Sequence, residues 1–214
     1  MNLFRWSWVM NNTDVILDKL VQHLQLTGLA LLFGFAIAFP LALAAIRWPR
    51  LYGPSLGITG VGFTIPSLAL FILLIPFTGL SMATSLIGLT IYTLLILFRN
   101  TVEGLTGVPR EVSEAARAMG YTRLHQLFTV ELPVALPVIV AGIRIAAVTT
   151  IGLVTVTALI GQGGLGQLFI TGFTLHFPTP LIVGFVLSVM LAVVVDLFLV
   201  AVLWLVTPWR RGRS

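Results

Sequence analysis

Long uncharged runs alternate with short polar segments along this chain. Three runs, 24–46, 51–98 and 145–195, contain no lysine, arginine, aspartate or glutamate. A helix that crosses a lipid bilayer needs roughly 20 apolar residues, so the second and third runs are each long enough for more than one crossing. The pattern predicts an all-α, polytopic membrane protein that forms one transmembrane domain with about five spanning helices.

Breaker residues set the expected bounds of the spans. The cluster from Pro76 to Gly79 divides the second run into two spans, whereas Pro40 is tolerated inside the first because neighbouring helices can satisfy the freed carbonyl. Before the first span, Thr13 is expected to cap an amphipathic helix over 14–24 that lies at the membrane interface. The predicted spans are 25–46, 54–76, 82–98, 134–160 and 181–206.

Two loops separate the later spans. Residues 99–133 carry most of the remaining charge and are therefore expected in water. Residues 161–180 form the other loop, and within them the stretch 167–176 is too short to cross a bilayer. We expect that stretch to be a loop or a half-buried helix.

Composition supports a lipid environment. The 214 residues are 58% hydrophobic and 9% charged, with a mean hydropathy of +1.07. A water-soluble core of this size cannot bury so many apolar side chains. The chain has no cysteine, and His23, His125 and His176 lack the spacing of a metal site, so we expect neither a metal nor a cofactor. The arginines are spread through the loops, which argues against nucleic-acid binding.

Lysine and arginine also indicate orientation, because they concentrate in cytosolic loops. An outside N-terminus leaves only Arg5 and Lys19 outside. It places the following inside: Arg47, Arg50, Arg99, Arg110, Arg117, Arg123, Arg210, Arg211 and Arg213. We therefore predict the N-terminus outside and the C-terminus inside, which makes 99–133 cytosolic and 161–180 extracytoplasmic.

The cytosolic loop has the signals of a helical hairpin. Pro109 is suited to the first position of a short helix, and Gly120 is suited to end it in a left-handed turn. Thr122 can cap a second helix, which is expected to stop before Pro133. The first arm presents small side chains, which let another protein approach closely, beside charged groups for its rim; these residues are Glu114, Ala115, Ala116, Arg117 and Ala118.

The spacing within this loop resembles a known signature. Glu114-Ala115-Ala116, Gly120, Val130 and Leu132-Pro133 are similar to the signature loop of permease subunits in bacterial ATP-binding cassette (ABC) importers, with Val130 where isoleucine is commoner. Further stretches resemble the branch that imports glycine betaine, choline, carnitine or proline-like osmoprotectants; they are 64–69, 99–101, 131–137, 141–144 and 159–166. The resemblance covers roughly 24–206.

This resemblance implies both a location and partners. The chain would lie in the bacterial inner membrane and bind a separate cytosolic ABC ATPase through the hairpin, Arg117 included. It would pair with a second permease subunit, identical or paralogous, and receive its solute from an extracytoplasmic binding protein. Methionine and phosphonate permeases share some of these features, so a permease for another small solute is an alternative.

Two charges lie within the predicted spans. Arg144 and Asp196 each sit roughly 15 Å from the cytosolic boundary, at 1.5 Å per residue, and can therefore be neighbours. An ion pair that joins spans four and five is favoured, and a polar lining of the solute pathway is the alternative. Thr149 and Thr150 are further pathway candidates, although threonine in lipid more often bonds its own helix backbone.

A glycine-rich segment follows span four, with Gly161, Gly163, Gly164 and Gly166. It lacks the Gly-Lys-Ser/Thr ending of a phosphate-binding loop, so nucleotide binding is not expected there. A turn that allows close packing near an outer gate is favoured over direct solute contact.

Two other functional classes are less favoured. A carrier driven by an ion gradient would show internal repeats with matching broken helices, and no such repeat is visible. A membrane-embedded enzyme would gather catalytic side chains at one depth, which the sequence does not do. We therefore expect a non-enzymatic permease subunit.

Overall fold

The structure is a computed structural model and describes residues 4–208. Almost all of these residues are helical. Arg210, Arg211 and Arg213, predicted to be cytosolic, lie outside the described residues. The helices are α1 (Trp6–Asn11), α2 (Thr13–Arg47), α3 (Tyr52–Thr64), α4 (Ser67–Thr78), α5 (Met82–Thr106), α6 (Arg110–Ala118), α7 (Arg123–Gln126), α8 (Leu132–Val156), α9 (Gly166–Thr174) and α10 (Pro178–Val206). A π-helical turn over Leu127–Glu131 joins α7 to α8, and a 3₁₀ turn over Thr157–Ile160 follows α8.

Four stretches of helix are long and apolar enough to cross a bilayer. They are α2, α5, the continuous helical segment Arg123–Ile160, and α10. The helical segments Pro49–Thr64 and Ser67–Thr78 pass the same test only as a pair, bent by 98°. The all-α polytopic architecture is thus confirmed, with four spans or five.

The predicted second span, 54–76, is wrong as a single helix. Pro66 has no N–H to donate and forces the preceding residue into an extended conformation, and Ile65 indeed has φ −64° and ψ 130°. The Ile65 carbonyl, which loses its helical partner at this break, accepts a hydrogen bond from the Tyr92 hydroxyl of α5. The break predicted after Pro76 is present, because α4 ends at Thr78 and Gly79 has a positive φ of 70°.

The separate interfacial helix predicted over 14–24 is also wrong. Residues 14–24 continue without a break into the first span, because no proline or glycine occurs between Thr13 and Gly28. At 1.5 Å per residue the 35 residues of α2 are roughly 50 Å long, which exceeds a hydrocarbon core of about 30 Å. The N-terminal turns of α2 therefore extend beyond that core.

Helix α5 lies in the middle of the bundle, between α2 and α8, with α3 and α4 also against it. The face of α2 that meets α5 is built from small residues at four-residue spacing: Ala30, Gly34, Ala38 and Ala42 are buried. A β-carbon at position 34 would overlap the Thr93 side chain. Small residues let helix backbones approach closely where both helices lie in lipid, so this seam sets the α2–α5 distance.

Helix α10 lies at the edge of the bundle, against α8 and α9. Much of its surface is exposed and apolar, with Phe185, Met190 and Phe198 all more than half exposed. The N-terminal segment packs over the start of α10, where the Arg5 backbone N–H donates to the Thr179 hydroxyl at 3.0 Å. The outer face of α10 is therefore suited to lipid or to another apolar partner.

Candidate functional site

The first arm of the polar hairpin ends in a well-formed glycine cap. Gly120 has φ +81°, in the left-handed region that favours glycine. Its N–H donates to the Arg117 carbonyl at 2.9 Å, and the Tyr121 N–H donates to the Ala116 carbonyl at 3.2 Å. These two bonds form a Schellman motif, which turns the chain sharply after α6. Pro109 precedes α6 as its N-cap residue, one position earlier than predicted.

The second arm continues into the membrane helix. Thr122 caps α7, its hydroxyl accepting from the His125 N–H at 3.4 Å. The arm does not stop before Pro133 as predicted, because the π turn over Leu127–Glu131 carries the helix into α8. Pro133 has no N–H and cannot donate to the Thr129 carbonyl. The π turn, which is wider than an α-helical turn, lies just before Pro133. The hairpin is therefore joined to α8 without a loop.

A polar network joins the two arms to the base of α8. Glu131 Oε1 accepts hydrogen bonds from Ser113 Oγ at 3.1 Å and from Gln126 Nε2 at 2.6 Å. Arg117 Nε donates to Gln126 Oε1 at 3.4 Å. Gln126 is buried, so its amide depends on these partners. The network fixes the angle between α6 and the start of α8.

Sequence reasoning missed the roles of Ser113, Gln126 and Glu131. The missing signal is geometric, because Gln126 and Glu131 are five residues apart and point in different directions on an α-helix. A π turn forms i→i+5 bonds and brings such residues onto one face. The contact between Gln126 and Glu131 could therefore not be predicted without knowing that a π turn forms here.

The predicted partner-contacting residues divide into exposed and enclosed groups. Glu114, Ala115 and Arg117 are exposed, as is Gly120. Ala116 is only 1% exposed, because α6 packs on the second arm. The Ala116 side chain is therefore packed inside the hairpin and is not presented on its surface, contrary to expectation, while its role in coupling stays a prediction. Val130, Leu132 and Pro133 are half-buried at the start of α8.

Three large apolar side chains stand out on the same hairpin. Met119, Leu124 and Phe128 are 66%, 71% and 56% exposed. Large apolar side chains that are exposed on a mostly polar element are candidates for contact with another molecule. The exposed surface of the hairpin thus combines charged groups with apolar ones.

The structure brings Arg144 and Asp196 together between α8 and α10. Arg144 donates from Nε to Oδ1 at 2.7 Å and from its terminal nitrogen to Oδ2 at 2.8 Å, a bidentate geometry. The pair borders an open cavity of about 520 Å³ that Thr149 also lines. Thr150 is buried elsewhere in the bundle and does not reach this cavity.

The glycine segment forms a turn that packs tightly on α2. Gly161, Gly163 and Gly164 all have positive φ, and Gly166 begins α9. A β-carbon on Gly164 would lie 2.7 Å from the Lys19 carbonyl oxygen. The Gly164 N–H donates to the Gln22 side chain at 3.2 Å. Glycine is required here by close packing.

Similar β-carbon clashes occur at the neighbouring glycines. A β-carbon on Gly163 would overlap the Ala158 backbone, and one on Gly166 would overlap the Thr155 backbone. Among the described residues, no cluster of histidine, aspartate and glutamate has the geometry to hold a metal ion. The arrangement comprises an exposed polar hairpin and an ion pair beside a cavity, joined by one long helix.

Comparison with known proteins places these features in a family context. Residues 30–207 match the family described as "Binding-protein-dependent transport system inner membrane component". The chain is 33% identical to the glycine betaine/carnitine/choline transport system permease protein OpuCB of Bacillus subtilis (strain 168), over 94% of this chain and 93% of that protein. It is 36% identical to the osmoprotectant import permease protein OsmW of Salmonella typhimurium (strain LT2), over 94% of this chain and 96% of that protein.

A solved structure has the same fold. An inward-facing conformation of the MetNI methionine ABC transporter contains a chain 25% identical to this one, with a TM-score of 0.78. The match covers 91% of this chain and 97% of that chain. Fold and sequence comparison therefore agree over nearly the whole length.

Proposed function

Because the chain belongs to the family of binding-protein-dependent transport system inner membrane components, we propose that it is the permease subunit of an ATP-driven importer for a quaternary ammonium or proline-like osmoprotectant. The observation that carries the solute class is the identity of 33–36% to glycine betaine, choline and osmoprotectant permeases over nearly full length. The chain forms the pathway and does not itself hydrolyse nucleotide.

The hairpin is the part of this subunit that binds a cytosolic ABC ATPase. Glu114 and Arg117 supply charged groups at the rim, and Met119 and Leu124 supply apolar area for a partner to cover. Movement of the docked ATPase reaches α8 through the Glu131 hydrogen bonds and through the helix that continues across the π turn. The proposal accordingly has the hairpin in the cytosol and the glycine segment on the extracytoplasmic side, as the distribution of lysine and arginine predicts.

A second permease subunit, identical or paralogous, completes the pathway. The cavity beside Arg144 and Asp196 is open at the surface of one chain, so it needs a neighbour to close it. The exposed face of α3 offers one surface for close contact, since nothing lies within 4 Å of a β-carbon built on Gly53 or Gly57. An extracytoplasmic binding protein delivers the solute from the side of the glycine segment.

The test is reconstitution of the whole transporter in vesicles. Affinity-purified permease should bring down an ATPase and a second permease chain. Vesicles that contain the complex and the binding protein should take up labelled betaine, choline or proline only when ATP is supplied. Labelled methionine serves as the comparison solute, because the structural neighbour belongs to a methionine transporter.

Two outcomes would contradict the proposal. Preferred uptake of methionine would retain the permease but reject the osmoprotectant class. Uptake by the single chain, driven by an ion gradient without any ATPase, would instead indicate a secondary carrier.

A further inference from the structure

A basic cavity lies between the end of α2 and the polar hairpin, away from the ion pair of α8 and α10. Its volume is about 360 Å³. Arg47, Arg117 and Arg123 line it together with Glu131, while Leu43 and Ile46, with Leu127, supply apolar walls. Three guanidinium groups thus share one cavity with a single carboxylate.

Within the part of the chain that the structure describes, Glu131 is the one acidic side chain that lines this cavity, so it can balance only one of the three positive charges. Among residues 4–208 the ion pairs are Lys19–Asp18 and Arg144–Asp196, so neither Arg47 nor Arg123 has one. Arg117 bonds only the neutral Gln126 amide. Glu131 already accepts two hydrogen bonds at Oε1. An anion that enters the cavity therefore meets guanidinium groups without a charged partner, and guanidinium binds phosphate oxygens in a bidentate manner.

The position of the cavity indicates what carries that anion. Arg47 is the last residue of α2, a membrane-spanning candidate, and exposed Trp48 follows it. Tryptophan next to arginine at the end of a span is typical of the headgroup level of a bilayer. One side of the cavity is hydrocarbon and the other is cationic, which matches an amphipathic ligand with an anionic head.

We propose that this cavity binds the phosphate headgroup of an anionic phospholipid, with its acyl chain against Leu43 and Ile46. A free phosphate ion would leave the apolar wall in contact with water, whereas a lipid covers both surfaces at once. The site depends on the membrane location of the chain and not on its solute. A chain that imports its solute but retains no lipid would refute this site alone.

The test uses the purified full chain in a neutral detergent. Native mass spectrometry measures retained lipid after incubation with equal amounts of phosphatidylglycerol and phosphatidylcholine. Phosphatidylglycerol should be retained preferentially, and Arg47→Gln or Arg123→Gln should each weaken retention roughly fivefold. Retention of phosphatidylglycerol by the double variant should fall roughly 25-fold if the two contributions to the binding free energy add.

Arg50→Gln is the matched control, because Arg50 is exposed three residues after Arg47 and does not line the cavity. It should retain phosphatidylglycerol as the wild type does. The single variants decide the question if the double variant does not fold. Equal retention of the two lipids, or equal loss in Arg50→Gln, would overturn the proposal.

Two further arms separate other sources of the anion. Inorganic phosphate alone should not protect the chain against thermal unfolding as phosphatidylglycerol does; equal protection would show a free-anion site. The cavity variants should also still bind the ATPase. Variants that keep the lipid but lose the ATPase would make the arginines part of the docking surface and reject the lipid site.

Discussion

At the scale of single residues, the bidentate ion pair of Arg144 and Asp196 joins two helices that are long and apolar enough to span a bilayer. A charge in the hydrocarbon region is costly unless it is paired or reaches water. Here the charge is paired, and the bidentate pair also borders an open cavity. The geometry is that of a contact that holds α8 against α10 at the wall of the proposed pathway.

A charge exchange tests the pairing. Arg144→Asp and Asp196→Arg should each lower the amount of folded protein in the membrane, because each places two like charges together. The double exchange should recover most of that loss. Folded protein is measured by size-exclusion chromatography after mild extraction, and Thr149→Val serves as a control that changes the cavity without changing its charge. Failure of the double exchange to recover the loss would show that the pair does not stabilise the bundle.

The cap at Gly120 leads to a second prediction at this scale. Leucine at φ +81° costs roughly 1–2 kcal/mol in local conformation, so Gly120→Leu should distort the Schellman turn without unfolding the spans. ATP hydrolysis by the assembled complex should then continue while uptake falls. Gly120→Asn is the control, because asparagine tolerates the left-handed region. Normal uptake by Gly120→Leu would count against the hairpin as the coupling element.

At the scale of elements, the sequence predicted those features that depend on local chemistry. The long apolar runs, the break near Gly79 and the caps at Gly120 and Thr122 all follow from residue type. Tertiary context decided the rest. Pro66 explains the break after Ile65, but the 98° bend and the Tyr92 hydroxyl that donates to the Ile65 carbonyl depend on packing against α5. The contact of Gln126 with Glu131 depends on the π turn. Neither contact can be predicted from the pattern of hydrophobic residues within one segment.

The glycine segment permits a sharp test of packing between elements. Gly164→Ala should reduce the yield of folded protein strongly, because the added carbon meets the Lys19 carbonyl and the backbone at His23, which cannot move as side chains can. Gly28→Ala is the control, since nothing lies within 4 Å of a β-carbon there and alanine favours helix. Thermal unfolding in detergent measures the stability of both variants. Equal stability of the two variants would show that the segment opens freely.

At the scale of the whole molecule, the bent pair of α3 and α4 decides the topology. At 13 and 12 residues, each is roughly 18–20 Å long and too short to cross a bilayer alone. If together they cross, five spans place the two ends of the chain on opposite sides. If they enter and return, four spans place both ends on one side. The structure favours five, because Arg47 lines one cavity with Arg117 and Arg123 of the hairpin and so lies on the same side as they do. The distribution of lysine and arginine agrees with this count.

Single cysteines can read this topology directly, since the chain has none of its own. Leu51→Cys precedes the bent pair, Leu80→Cys follows it, and Thr122→Cys marks the hairpin; all three positions are exposed. With five spans, a membrane-impermeant maleimide should label Leu80→Cys in intact cells, and should label the other two only in inverted vesicles. Solubilised protein should react at all three positions, which controls for access. Labelling of Leu51→Cys and Leu80→Cys from one side would make the bent pair re-entrant, a result at odds with the single cavity that Arg47 shares with Arg117 and Arg123 of the hairpin.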